Sequence, residues 1–212
     1  MRPDRSVIDH TVGAIRELPL RRAANPLLRR RRLLRLRSYD YSAPGAYFVT
    51  IVTRQRILLF GDVVSGAMRL NPAGRIVLSL WDSLPTHYPG VELAEFVVMP
   101  NHVHGIIVIR EGGAIHELPL QRADDALRLS RRRMLLPRVI GRFKMTSARS
   151  INALRAGAGS ALWQRNYYEH VIRTEAAFDR IREYIRDNPT RWAYDRENPA
   201  AVSPEAEDAW FA

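Results

Sequence analysis

The sequence predicts an α+β domain built on an antiparallel sheet, and three observations carry that expectation. Short β-branched and aromatic runs are separated by turn residues, as strands are. Two longer stretches show apolar residues at helical spacing between them. The resulting order is β–α–β–β–α–β–α, and its first six elements match the ferredoxin-like split βαβ, with helices on one face of the sheet. At 212 residues, 46% hydrophobic and 26% charged, the chain is long enough for one sizeable domain with extensions.

The first strand is "AYFVTIVT", residues 46–53, entered through the turn residues "SAPG" at 42–45. "GDVVSGAMRLN" reads as a small hairpin with Ser65 and Gly66 at its turn. Asn71 then caps a helix with Pro72 in its first turn; Ile76, Leu80 and Leu84 recur at helical spacing until Pro85. "VELAEFVVMPNHVHGIIVIR" supplies two strands hinged at residues 99–101. "LPRVIGRFKMTSARSINALR" is a basic helix that turns Ile140, Phe143 and Ser147 inward and keeps Arg138, Arg142 and Arg149 wet. "ALWQRNYYEHVIR", residues 161–173, reads as the fourth strand, and residues 174–188 as a final long helix.

The balance of 33 Lys+Arg against 22 Asp+Glu gives a net charge of +11, which favours polyanionic partners. Lys144 is the one lysine, so the charge is almost all guanidinium, suited to bidentate phosphate contacts. Arg138, Arg142, Lys144, Arg149 and Arg165 are the candidate nucleic-acid contacts. With no cysteine, disulfides, thiolate metal sites and cysteine nucleophiles are excluded. No apolar run approaches the ~18 residues of a membrane span, and the N-terminus lacks the apolar core of a secretion signal. A cytoplasmic protein with no membrane partner is expected.

Residues 1–38 read as a disordered basic arm, with eight arginines between Arg21 and Arg37. A domain over 39–197 follows, with a loop insertion at about 111–136, and then an acidic tail over 198–212. "GAIRELPLRRA" at 13–23 recurs as "GAIHELPLQRA" at 113–123, which suggests a short element inserted twice rather than a stacking repeat.

The chemistry centres on "NHVHG". Residues alternate faces along a strand, so His102 and His104 point one way and Val103 the other. Two imidazoles on the face of a core strand need partners, and a shared metal ion is one answer. The last helix offers a third donor. Tyr184 and Asn188 are four apart on one helix face, and Pro189 ends the helix, leaving the Asn188 carbonyl at a frayed terminus. Imidazole with carbonyl oxygen suits Mg²⁺ or Mn²⁺. Read from the helix pattern alone, Tyr184 packs near Ala177 and Ile181. Tyr167 and Tyr168 face opposite ways, and His170 reads as a core or supporting histidine.

Taken in order, "VVMPNHVHGIIVI", "WQRNYYEHVIR" and "YIRDNP" resemble the single-tyrosine HUH transposases, in particular the REP-associated tyrosine transposases related to the insertion sequence 200 type. The resemblance spans about residues 39–197. It implies a ferredoxin-like core, action on single-stranded DNA beside palindromic hairpins, and a divalent metal held by His102, His104 and Asn188. It also makes Tyr184 the nucleophile, forming a 5′-phosphotyrosine intermediate, and allows a homodimer. Two other readings stay open. One is a binding module of the same fold that holds hairpin DNA or RNA without cutting; the other is a metal-dependent phosphodiesterase with water as nucleophile.

Overall fold

The computed structural model describes residues 44–110, 134–155 and 161–201. The basic arm, both copies of the paired segment and most of the acidic tail lie outside the described residues. No helix among the described residues is long and apolar enough to cross a membrane.

Strand β1 (Gly45–Val52) runs through the centre of a four-stranded sheet. It pairs antiparallel with β5 (His102–Ile109) on one side and β6 (Tyr168–Ile172) on the other. Strand β4 (Val91–Val98) pairs antiparallel with β5 and completes the order β4-β5-β1-β6, the expected split βαβ topology. The hairpin of β2 (Gly61–Val64) and β3 (Ala67–Leu70) stands apart as a second, two-stranded sheet. Its turn has positive φ at both Ser65 (51°) and Gly66 (75°), which suits the twist of the flanking strands.

Helix α1 (Pro72–Asp82) starts as expected: the Asn71 side chain accepts from the Gly74 N–H at 3.0 Å, and Pro72 occupies the first turn. Its buried stripe differs from the expected one. Ala73, Val77 and Trp81 face the core, while Ile76 and Leu80 are half-buried at its edge. Leu84 is buried from the separate single turn α2 (Leu84–His87), whose first positions accommodate Pro85 rather than being broken by it. Trp81 decides this rotation. Its indole stacks on Phe96 at 4.3 Å and meets Phe143 edge-on at 5.3 Å, over the gap left by Gly105.

Helix α3 (Leu135–Leu154) buries Val139, Ile140, Phe143, Ser147 and Ile151 on the same side of the sheet as α1. Ser147 is buried because it is satisfied: its hydroxyl donates to the Phe143 carbonyl and accepts from Trp163 Nε1 at 2.9 Å. The fourth strand is shorter than the sequence suggests. Only residues 168–172 join the ladder, and Trp163 forms an isolated bridge to Thr53. Between them the chain leaves the sheet, and Lys144 Nζ donates to the carbonyls of Gln164, Arg165 and Asn166 at 2.7, 3.1 and 3.5 Å.

Helix α4 (Glu175–Asp187) is capped by Thr174 Oγ1, which accepts from the Ala177 N–H at 3.1 Å. It covers the opposite face of the sheet, where Ile181 and Ile185 pack on Phe48, Ile106 and Ile172. That second face carries the paired histidines.

Candidate active site

The turn at residues 99–101 closes through Met99 N–H to the His102 carbonyl (2.8 Å) and launches β5 with His102 as its first residue. Strand alternation then sends His102 and His104 to the α4 face, opposite Val52 and Thr50 of β1. Both rings are buried, and each is anchored through Nδ1. His102 Nδ1 lies 2.9 Å from Asn101 Oδ1, and His104 Nδ1 lies 2.9 Å from Thr50 Oγ1. The Asn101 amide orientation follows from its Nδ2, which donates to the carbonyls of Arg56 (3.1 Å) and Glu197 (2.7 Å). Its Oδ1 is therefore the acceptor, His102 carries its proton on Nδ1, and His102 Nε2 presents a lone pair. The two Nε2 atoms are 3.0 Å apart.

Tyr184 reaches this pair from α4. Its hydroxyl lies 3.4 Å from His104 Nε2, and its ring stands edge-on to His104 (5.3 Å) and Phe48 (6.1 Å). Asn188, one turn further on at the helix end, is buried, and its Oδ1 has no hydrogen-bond partner. The structure thus brings together all four residues that the motifs single out.

It adds a fifth that the sequence reading missed. After Pro189 the chain doubles back, and Asp195 enters the site from the segment behind α4. Asp195 Oδ1 accepts from the Glu197 N–H at 2.6 Å and from the Asn188 side chain, while Oδ2 sits 3.6 Å from His102 Nε2 with no hydrogen bond of its own. Glu197 fastens the segment: its carboxylate meets Arg56 Nε at 2.8 Å, and its carbonyl accepts from Asn101. Burial pushes the Asp195 carboxyl up; the charge of His104, the Glu197 N–H and the Asn188 side chain pull it back, and Glu197 adds to the rise.

His102, His104 and Asp195 form a group whose ligand atoms all lie within 4.8 Å of one another, so they could hold a metal ion. The donor set fits a divalent cation. Ligands about 2.1 Å from one ion at a right angle are about 3.0 Å apart, matching the separation of the two ring nitrogens. The orphaned oxygens of Asn188 and Asp195 would be satisfied by the same ion. Two nitrogens, a carboxylate and an amide oxygen suit Mn²⁺ or Mg²⁺.

The remaining candidates are dispersed. Arg138 and Arg149 are exposed on α3, which packs on the other face of the sheet, and Arg142 meets His87 Nε2 at 3.2 Å. Lys144 is occupied by backbone carbonyls, a structural post for the segment before β6. Arg165 is exposed at the sheet end where β5 begins. Tyr167 packs toward the α1–α3 core, whereas Tyr168 shares the histidine face and meets Phe48 edge-on at 6.2 Å. His170 lies across from Phe48 on the same face.

No family model matches the chain. It is 38% identical over 176 residues, 81% of its length and 95% of the relative's, to an "Uncharacterized protein" of Haemophilus influenzae. It is 24% identical over 156 residues, 73% of its length and 76% of the relative's, to a protein of the same organism named "Putative REP-associated tyrosine transposase". Among solved structures it is similar to a REP-associated tyrosine transposase bound to a REP hairpin, at 18% identity and a TM-score of 0.43, over 72% of this chain and 71% of that one. It is also similar to a putative transposase of Deinococcus radiodurans, at 18% identity and a TM-score of 0.38, over 68% of this chain and 91% of that one.

Fold and site together define an α+β protein of split βαβ topology whose sheet presents a paired-histidine site under a tyrosine-bearing helix. The chain belongs to one family with the 38% identical Haemophilus influenzae protein, and in sequence it is also similar, at 24% identity, to the protein named "Putative REP-associated tyrosine transposase".

Proposed function

We propose that the protein cleaves and rejoins single-stranded DNA beside palindromic hairpins, with Tyr184 as nucleophile and a divalent ion, Mg²⁺ or Mn²⁺, held by His102, His104, Asn188 and Asp195. The observation that carries this reading is the approach of the Tyr184 hydroxyl to the histidine pair, 3.4 Å from His104 Nε2.

A phenol with a pKa of about 10 is a weak nucleophile at neutral pH, so positioning matters. The edge-on contacts with Phe48 and His104 fix the Tyr184 ring, and α4 is held to the sheet by Ile181 and Ile185. When bound, the ion supplies Lewis-acid polarisation of a non-bridging phosphate oxygen. Asn101 and Thr50 hold the histidines so that their Nε2 atoms face the reaction volume. Tyr184 attacks phosphorus, its O–P bond forms and the bond to the 3′ oxygen breaks. The phenol proton is released and the departing 3′ oxygen takes one up. The DNA 5′ end stays on Tyr184 as a phosphodiester of similar energy, so a second 3′-hydroxyl can reverse the step and join a different end.

The test is cleavage of an end-labelled single strand that flanks a palindromic hairpin, with Mn²⁺ and with EDTA. Cleavage with Mn²⁺ that disappears with EDTA and in His102→Ala supports the reading. Full cleavage in EDTA removes the metal from it. Hairpin binding without cleavage under every condition leaves a binding module.

A further inference from the structure

The loop that follows β1 is bent sharply and pinned to the turn that launches the histidine strand. Thr53 N–H donates to the Asn101 carbonyl (2.8 Å), Leu59 and Phe60 N–H both donate to the Pro100 carbonyl, and Asn101 Nδ2 donates to the Arg56 carbonyl. Within the loop Gln55 (φ 58°) and Arg56 (φ 55°) are both left-handed, although neither is glycine. Such backbone persists only where its surroundings over-determine it, and it is concentrated at functional sites.

The bend has a clear consequence. Arg56 turns to Glu197, while Ile57 and Leu58 are left 51% and 53% exposed. The segment behind α4, pinned to the same Asn101 side chain, exposes Tyr194 by 54%, one residue before Asp195. Of the seven large hydrophobic side chains exposed among the described residues, these three flank the metal-site end of the sheet. Scattered singly they would need no explanation. Exposed Arg54 and Arg165 border the same end of the sheet, where β1 ends, while the carboxylates of the segment behind α4, Asp195 and Glu197, are buried, the latter paired with Arg56. The surface left to solvent is apolar and cationic together.

We propose that Arg54, Ile57, Leu58, Arg165 and Tyr194 form a rim that grips the unpaired strand on its way to Tyr184. The arginines meet phosphates, and the apolar side chains take the flat faces of unstacked bases. A duplex offers its phosphates but keeps those faces stacked, so the pairing of charge with exposed apolar tops fits a single strand. The rim rests on the function proposed above and names the part of this chain that holds the substrate beside the reacting phosphate.

The experiment is fluorescence anisotropy of a labelled single strand, and of the duplex of the same sequence, over a range of salt. Tyr194→Ala and the double variant Ile57→Ser, Leu58→Ser should each weaken single-strand binding about tenfold. Neither should change duplex binding or the slope of affinity against salt. Arg54→Ala should reduce that slope by about 0.7. The Mn²⁺-induced rise in melting temperature, kept in every variant, reports an intact fold and metal site. Single-strand binding by both apolar variants at wild-type strength would overturn the rim and leave the proposed function standing. A wild-type protein that binds no single strand at all would overturn both.

Discussion

Replacing Asp195 with asparagine separates what this residue does for the fold from what it does for a metal. The asparagine keeps an oxygen for the Glu197 N–H and sets an amide N–H where Oδ2 stands, facing the His102 Nε2 lone pair 3.6 Å away. It also removes a carboxyl that burial pushes up. A raised folded-state pKa means that the metal-free protein loses stability as pH rises from the unfolded value, about 3.9, through the folded one. At neutral pH without metal the variant should therefore be more stable. Each pKa unit of that shift is worth about 1.4 kcal/mol, and each kcal/mol about 2–4 °C of melting temperature at this size. With metal the order reverses. An ion at a hundred times the wild-type Kd stabilises by about 2.7 kcal/mol, roughly 5–10 °C. A variant binding a hundredfold more weakly gains RT ln 2, about 0.4 kcal/mol or roughly 1 °C. Thermal melts of both proteins in EDTA and in Mn²⁺ measure the four values. Equal Mn²⁺ shifts would refute Asp195 as a ligand, and a less stable variant in EDTA would refute the account of its burial.

Gly105→Ala places a methyl 2.5 Å from Trp81 Cζ2 and 2.9 Å from Phe96 Cδ2. It should destabilise by about 1–3 kcal/mol, and an unchanged denaturant midpoint would contradict the packing described for that face. Asn101→Ala removes the acceptor of His102 Nδ1 and leaves the carbonyls of Arg56 and Glu197 without their donor. Mn²⁺ affinity by titration calorimetry should fall about 10- to 100-fold. Asn101→Asp restores the acceptor alone and should recover part of the loss; no recovery would mean that the histidine contact is not what matters.

Much of this site is legible from local periodicity. A period of two puts His102 and His104 on one face, and a period near four puts Tyr184 beside Asn188; each pattern needs only its own element to be right. Asp195 obeys no such rule. It sits on irregular chain after a proline turn, and its place depends on Asn101 and Arg56, far away in sequence. The same limit explains the errors in the fold. Two stripes of α1 satisfy helical spacing, and the choice between them was made by Trp81 fitting over Gly105 from another strand. The run 161–173 has strand composition, yet the ladder lapses between Gln164, whose N–H still reaches the Val52 carbonyl, and Tyr168, where Lys144 from α3 takes the carbonyls of residues 164–166. The expectation that α1 and α3 share one face is met, and α4 takes the other face because the histidine side of the sheet would otherwise leave Phe48 and Ile106 in water.

The most direct measurement is the mapping of a covalent adduct. The wild-type protein, incubated with Mn²⁺ and a single strand flanking a palindromic hairpin, should give a denaturant-resistant protein–DNA product whose modified peptide contains Tyr184. Tyr184→Phe removes one oxygen from a ring that keeps its contacts with Phe48 and His104, so DNA binding should persist while adduct and cleavage both vanish. Tyr167→Phe and Tyr168→Phe should retain the adduct. An adduct on Tyr168, or cleavage that continues in Tyr184→Phe with no adduct, would contradict the assignment, and the latter would make water the nucleophile.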